Sequence, residues 1–264
     1  MALERYGGPR ALLVDILTTA KERDVTFLAA GFAYYAFVSL IPMVLLALVV
    51  GSFMGGERVA ERIILAAGDF FPEAGEDLLI EVLTTEAGRA EATVVALGIS
   101  TWGALKVFRG LSLAFDQVYE GAGEDSLLEE IRDGLTVLFS GVLALLLMIS
   151  LGAVIGVAAA EIPFGGLLGW VTLLGGLVLV FVPIYYVLPP VSVTLREILP
   201  GATFAAIGWV ILQLGFQVYA GNAGQYEAYG AIGAILVFVT WLYFAGILIV
   251  LGAVVNVVLA ADRE

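Results

Sequence analysis

From Val25 to Gly56 the chain carries no charged side chain. Further charge-free runs cover Ala92–Leu105, Gly134–Ala160, Ile162–Leu195, Ile198–Tyr226 and Ala228–Ala261. A helix that crosses a bilayer needs about 20 predominantly apolar residues. All the runs but Ala92–Leu105 meet that length. The pattern predicts an all-α polytopic membrane protein with six transmembrane helices and amphipathic interfacial helices beside them.

The expected spans are Phe27–Phe53, with Pro42 in its interior, then Ala92–Leu105, Leu135–Val157, Leu167–Val187, Leu199–Tyr219 and Ile232–Val255, the last running on to Ala261. The second is short, because its 14 residues reach only roughly 21 Å against a hydrocarbon core of about 30 Å. Its helix is expected to continue through Lys106 and Arg109 toward Tyr119. There Val107, Phe108, Leu111, Phe115, Val118 and Tyr119 share one face, while Arg109 and Asp116 share another. The short link at Glu161-Ile162-Pro163 makes the third and fourth spans an antiparallel hairpin.

The whole chain, 1–264, reads as one membrane domain. Residues 1–26 form a cytoplasmic amphipathic segment, in which Leu12, Leu13, Ile16, Leu17 and Ala20 make an apolar stripe suited to the membrane surface. Residues 57–91 form an external acidic segment with two short amphipathic helices broken at Asp69-Phe70-Phe71-Pro72. Residues 106–133 form a cytoplasmic segment. The first apolar run exceeds a signal-peptide core and follows charges of both signs, so it is expected to remain as the first span. Of the 12 Lys and Arg side chains, only Arg58, Arg62 and Arg89 fall outside if the N terminus is cytoplasmic. The positive-inside rule therefore puts both termini in the cytoplasm of a plasma-membrane protein.

Composition sharpens the picture. The chain is 61% hydrophobic and its mean hydropathy is +1.03, which leaves no room for a large separate soluble domain. The net charge is −13, with no Cys and no His. Disulfides, thiol catalysis, Cys-ligated zinc and the usual general base are thereby removed. No cofactor and no metal site are expected. Acidic loops argue against a nucleic-acid partner, which would need basic patches, and leave membrane lipids as the expected partners. Acidic loops with two Lys against ten Arg resemble proteins of salt-loving archaea, in which dense carboxylates keep a surface hydrated under strong screening. The plainer reading is an ordinary acidic loop set.

Candidate chemistry is sparse. Tyr34, Tyr35, Ser39 and Pro42 put polar groups and a helix break into the first span, serving either as interhelical glue or as a cavity lining. Lys106, Arg109 and Asp116 are pulled toward the membrane by the shortness of the second span. The two cations either snorkel to the inner interface or meet a lipid headgroup or substrate. Gln213 and Gln217 make a polar stripe on the fifth span, and Asn256 sits near the end of the sixth; packing glue competes with substrate contact for all three. Gly152-xxx-Gly156, Gly165-xxx-Gly169 and Gly230-xx-Gly233 read as close-packing devices. Tyr185, Tyr186, Tyr219 and Tyr243 read as an interfacial belt.

Several blocks, in order along nearly the whole chain, carry a resemblance. They are Ala30-Gly31-Phe32-Ala33-Tyr34-Tyr35-Ala36-Phe37-Val38-Ser39-Leu40-Ile41-Pro42, Leu199-Pro200-Gly201-Ala202, Tyr229-Gly230-Ala231-Ile232-Gly233-Ala234 with Trp241-Leu242-Tyr243, and Leu251-Gly252-Ala253-Val254-Val255-Asn256. Together they resemble the YihY/virulence factor BrkB family. The sequence departs from many members at Val254, where those have an acidic residue, so no role of that carboxylate carries over. The family is sometimes labelled ribonuclease BN. Metal-dependent RNA cleavage needs clustered His and carboxylate ligands and a cationic RNA path, and a chain with no His and acidic loops fits that poorly. The resemblance implies a non-enzymatic transporter or exporter, and the scarcity of polar surface favours a lipid-like or amphipathic substrate. A membrane organiser without a transport path is the alternative.

The acidic balance generates a first prediction. Thermal melting of the detergent-solubilised protein should move upward between low and molar KCl as screening relieves carboxylate repulsion; a flat or falling midpoint would contradict the salt-adapted reading.

Overall fold

The computed structural model describes residues 8–39, 86–121, 127–158, 165–221 and 230–261. Among these the chain is all-helical: α1 Pro9–Glu22, α2 Val25–Ser39, α3 Glu86–Tyr119, α4 Leu127–Ala158, α5 Gly165–Val187, α6 Leu195–Gly221 and α7 Gly230–Ala261. Four segments are long and apolar enough to cross a bilayer: Ile131–Gly152, Leu168–Val187, Leu195–Tyr219 and Ile235–Ala261. They coincide with the third to sixth expected spans. The described part of the first span, α2, is a shorter apolar helix; its continuation with Pro42 lies outside the described residues, as do residues 57–85 of the external segment and residues 122–126. The second expected span falls in α3, which runs unbroken for 34 residues through Lys106 and Arg109 to Tyr119. It continues to Tyr119 as expected but begins at Glu86, inside the segment expected to be external, and its apolar stretch is too short to place it with the four.

Local chemistry fixes the helix ends. Pro9 opens α1, where a missing N–H costs nothing. Thr194 N–H donates to Glu197 Oε2 at 2.7 Å, the backward half of a capping box at the start of α6. At the end of α3, Glu120 adopts φ 55° and Gly121 N–H donates to Asp116 O at 3.0 Å. This is a Schellman close in which a non-glycine residue holds the left-handed position. Arg23, in the turn between α1 and α2, donates to the Glu120 carboxylate and, at 3.5 Å, to the Gln117 carbonyl, placing a cation on the negative end of α3.

The residues divide into two compact units, one of Met1–Phe32, Phe108–Asn222 and Tyr243–Glu264, the other of Ala33–Val107 and Ala223–Leu242. In the first, the core gathers around Phe115, Val118, Tyr185, Ile198, Val250 and Val254, all fully buried. α3 contributes the face foreseen from its sequence, with Leu111, Phe115 and Val118 buried and Phe108 and Tyr119 packed against them. Phe115 stands 5.6 Å from the Tyr185 ring. The stripe of α1 is split by its rotation: Leu12, Ile16 and Ala20 pack on this core, whereas Leu13 and Leu17 are exposed together with Val14.

α4 packs on α5, and α5 on α6. α4 is otherwise the outermost of the four candidate spans, with 6% of its apolar window buried against 56% for α7. Exposed apolar side chains such as Leu138, Phe139 and Ile149 suit lipid contact. The hydroxyls on α4 are satisfied within the helix: Thr136 donates to Arg132 O at 2.8 Å, Ser150 to Leu146 O at 2.7 Å, and Ser140 to Thr136 O. In hydrocarbon no water can serve them.

Two of the spacing-motif glycines are not points of close helix approach. A Cβ at Gly152 or Gly169 would meet nothing within 4 Å. A Cβ at Gly201 would lie 2.1 Å from the Gly252 carbonyl oxygen, and one at Gly252 2.0 Å from the Tyr185 hydroxyl and 2.9 Å from the Gly201 carbonyl. Here α6 and α7 touch backbone to backbone. Gly201→Ala should therefore cost about 1–3 kcal/mol of stability by forcing the helices apart. Gly141→Ala, on an α4 position with nothing within 4 Å, should be neutral or stabilising by up to ~1 kcal/mol. Melting of the two purified variants checks this, and an unperturbed Gly201→Ala would refute the contact.

Candidate functional site

The sequence-derived candidates fall in both units. In the smaller one, Tyr34 and Tyr35 are exposed, with ring centroids 5.5 Å apart in an edge-on pair. Ser39 is 4% exposed and donates to its own helix at Ala36 O, 2.9 Å away. Ser39 thus turns inward to backbone while the tyrosines face outward. Lys106 Nζ lies 5.5 Å from the ring centroid of Trp102, a cation–π contact with an exposed tryptophan.

The larger unit holds Arg109, Asp116, Gln213, Gln217 and Asn256. Arg109 is exposed and Asp116 half-buried on α3. Gln213 and Gln217 are both exposed on α6, so their stripe points away from the core. Asn256 is 2% exposed, and its Oδ1 accepts the Gly201 backbone N–H at 2.6 Å.

That last bond is the centre of a buried polar knot. Pro200 has no N–H to return to the Arg196 carbonyl, so the ladder of α6 is weakened where Gly201 follows. Asn256 Oδ1, from α7, accepts the next N–H, that of Gly201; it does not replace the donor that Pro200 lacks. Close by, the Tyr185 hydroxyl of α5 donates to Ile249 O of α7 at 2.8 Å. Tyr185 is therefore a core residue and not part of the interfacial belt. Rotation of α5 points it at α7, while its neighbour Tyr186 is exposed and fits the belt. The Tyr119 hydroxyl and Asn256 Nδ2 also adjoin, both buried and neither completing a hydrogen bond of full geometry. Burial pushes the Tyr119 phenol up to about 12, Asn256 acts against the shift and the Glu197 carboxylate adds to it, so Tyr119 remains a neutral hydroxyl. Of these groups the Tyr185 hydroxyl and Asn256 Oδ1 join helices by hydrogen bonds.

Two hollows lie in the same unit. One, of about 380 Å³, is an open groove between α6 and α7 lined by Phe204, Ile207, Gly208, Ile211, Leu212, Phe244, Ile247 and Leu248. Its lining is apolar throughout, and Phe204, Ile207, Ile211 and Phe244 are exposed. The other, of about 170 Å³, is predominantly polar and lined by Phe108, Ser112, Asp133 and residues Val187 to Val191. Among the described residues no group of three or more His, Cys, Asp or Glu side chains is placed to hold a metal ion.

Sequence reasoning missed Tyr185 as an anchor, the capping box at Thr194-Leu195-Arg196-Glu197, and both hollows. The capping box carried a readable signal, a Thr three residues before a Glu ahead of an apolar run. Tyr185 carried none, because adjacent tyrosines at a span end look alike until the helix rotation is known.

No solved structure matches the chain. Sequence relatives do. A Bacillus subtilis protein named as ribonuclease-like, YfkH, is 28% identical over 252 residues, covering 89% of this chain and 90% of that one. A UPF0761 membrane protein of Nitrosospira multiformis is 28% identical over 94% of this chain and 60% of its own length. Another, of Pseudoalteromonas translucida, is 26% identical over 87% of this chain and 79% of its own. The model of the family described as virulence factor BrkB matches residues 16–264. With that match over nearly the whole length and helices fit to span a bilayer, this chain is a membrane protein that belongs to the virulence factor BrkB family.

Proposed function

We propose that the protein is a six-span plasma-membrane transporter or exporter of lipid-like or amphipathic molecules, not an enzyme, with both termini in the cytoplasm. The apolar groove between α6 and α7 carries this reading. A volume of about 380 Å³ falls in the range of small-molecule sites. A wholly apolar lining offers a soluble polar metabolite no hydrogen-bond partner, whereas an acyl chain needs none. Exposed Gln213 and Gln217 on the same helix give a polar headgroup a partner along α6. The ribonuclease-like name of the Bacillus relative would require a cationic RNA path, and −13 net charge opposes one.

A second reading has its own support. Ser39 and Asn256 are paired to backbone, as in a packed membrane organiser without a path. Reconstitution separates the two. Vesicles holding the protein should redistribute a short-chain fluorescent phospholipid severalfold faster than empty vesicles, under a proton or sodium gradient of one sign. Ile211→Trp, which fills the groove, should remove most of that excess without lowering the melting temperature. No excess under either sign of either gradient would leave the organiser reading.

Topology has a separate check. The chain lacks Cys, so single cysteines introduced as Thr84→Cys and Ser126→Cys can be labelled in intact cells with an impermeant maleimide. The cation asymmetry gives full labelling at the first and none at the second; the reverse pattern would invert the orientation.

A further inference from the structure

Three faces of different chemistry run along α1. Leu12, Ile16 and Ala20 pack on the core of the larger unit. Asp15 and Glu22 are exposed on a second side. The third side is a stripe of Arg10, Leu13, Val14, Leu17 and Lys21, all exposed. The spacing i, i+3, i+4, i+7 and i+11 keeps these five on one line of the helix surface, roughly a third of a turn from the core face and about as far from the two carboxylates.

The apolar members of the stripe are well uncovered: Leu13 and Val14 are each 59% exposed and Leu17 65%. The hydroxyl at its border makes no demand on water, since Thr18 Oγ1 donates to Val14 O at 2.8 Å. The helix is fixed from its inner side by core packing and from its end by Arg23, which bonds to the Glu120 carboxylate and the Gln117 carbonyl at the close of α3. Beyond that close the chain carries Glu120, Glu124 and Asp125, charges that hydrocarbon does not accept. The end of α1 therefore stands where α3 leaves the apolar layer.

From this arrangement we infer that the outer stripe of α1 docks in the headgroup layer of an anionic membrane leaflet, the one at which α3 ends. Leu13, Val14 and Leu17 enter the acyl boundary, and Arg10 and Lys21 meet lipid phosphate. A surface helix of this kind sinks its apolar side about 5–10 Å into that boundary, and the long stems of Arg and Lys let their charges reach back to the headgroups. Charge selects the occupant. The stripe is cationic although the chain as a whole carries −13, because Asp15 and Glu22 are turned to another side. Anionic lipid complements such a stripe, whereas a second copy of so acidic a chain would approach it against an overall repulsion.

The surface that meets lipid thus differs from the apolar stripe of the sequence. Leu12, Ile16 and Ala20 are given to the protein, and the lipid side gains Val14 and the two cations. One helix of 14 residues then joins the bundle by one face and the leaflet by another, and its last turn leads directly to the Arg23 contact on α3.

The test uses the full chain, which lacks Cys, carrying Leu17→Cys or Asp15→Cys labelled with a polarity-sensitive fluorophore. Both positions are exposed, so neither label disturbs the core. Each protein is placed in nanodiscs of phosphatidylcholine alone or mixed equally with phosphatidylglycerol, with a trace of lipid bearing a nitroxide high on its acyl chain. In the anionic discs the label at 17 should emit further to the blue and be quenched severalfold more than the label at 15. Its quenching should fall in phosphatidylcholine alone. Arg10→Gln with Lys21→Gln should remove that difference between the two lipids. Equal quenching at 15 and 17 overturns the docking. Equal quenching at 17 in both lipids, or a lipid difference that survives the double substitution, overturns the anionic recognition. A blue-shifted label at 17 in lipid-free detergent, with the mass of a dimer, would give the face to a second copy instead. Should the double substitution prevent folding, the comparison of the two lipids decides alone. None of these outcomes depends on the substrate of the groove.

Discussion

Where α6 and α7 cross, two glycines let backbone meet backbone, and the rest of the larger unit is arranged around that approach. Lipid is as apolar as a leucine side chain, so helices in a membrane gain little from hiding apolar surface from one another. They associate through packing and through the few hydrogen bonds that span them. At Gly201 and Gly252 both sources act at one place. The near contact admits no side chain on either residue, and it brings Asn256 within reach of a backbone N–H beside Pro200. A proline in a membrane helix is tolerated where a neighbour makes good the disturbed ladder. Here Asn256 of α7 accepts the Gly201 N–H beside the proline; it does not replace the donor that Pro200 lacks, but it attaches α7 at the irregular point of α6.

The same crossing sets the position of α5 and α3. Gly252 leaves room for the Tyr185 ring to reach the Ile249 carbonyl, a bond that satisfies a buried hydroxyl as apolar surroundings require. Phe115 then packs on Tyr185, and Tyr119 follows one turn later, stacked on Phe115 with centroids 6.3 Å apart. The end of α3 is held in turn by Arg23 at its carbonyl terminus. An exposed ion pair of this kind contributes at most about 1 kcal/mol. It serves to fix where the turn between α1 and α2 meets the end of α3, more than to add stability.

Much of this was legible in the sequence, for a physical reason. A bilayer imposes one length and one polarity on every crossing element, so the charge-free runs locate α4 to α7, with ends that differ by up to about eight residues. The shortness of Ala92–Leu105 likewise foretold a helix continuing through Lys106 to Tyr119, and of its expected apolar face Phe108, Leu111, Phe115, Val118 and Tyr119 join the core, while Val107 falls in the other unit. Rotation about a helix axis was not legible, because in a span apolar on all sides no periodicity marks the inward face. Hence Tyr185 looked like Tyr186, and Gly152 looked like Gly201. Among the site candidates, Asn256 was readable as a residue needing a partner, but which partner depended on a crossing point that only the three-dimensional structure supplies.

The motif blocks that carry the family resemblance therefore divide by what they do. Leu199-Pro200-Gly201-Ala202 and Leu251 to Asn256 meet at the crossing and are consumed in packing: Ala202, Ala253 and Val254 are fully buried, and the polar atoms of the knot serve the backbone. Val254 stands at the centre of that core with no polar group of its own, so the position where many members carry an acid here takes part in apolar packing alone. Residues so committed cannot also turn toward a substrate without loosening the helices they join. Chemistry that distinguishes one molecule from another must then lie off the crossing, on surfaces whose side chains are free of that duty. The apolar groove between α6 and α7 is such a surface in the larger unit, suited to hydrocarbon.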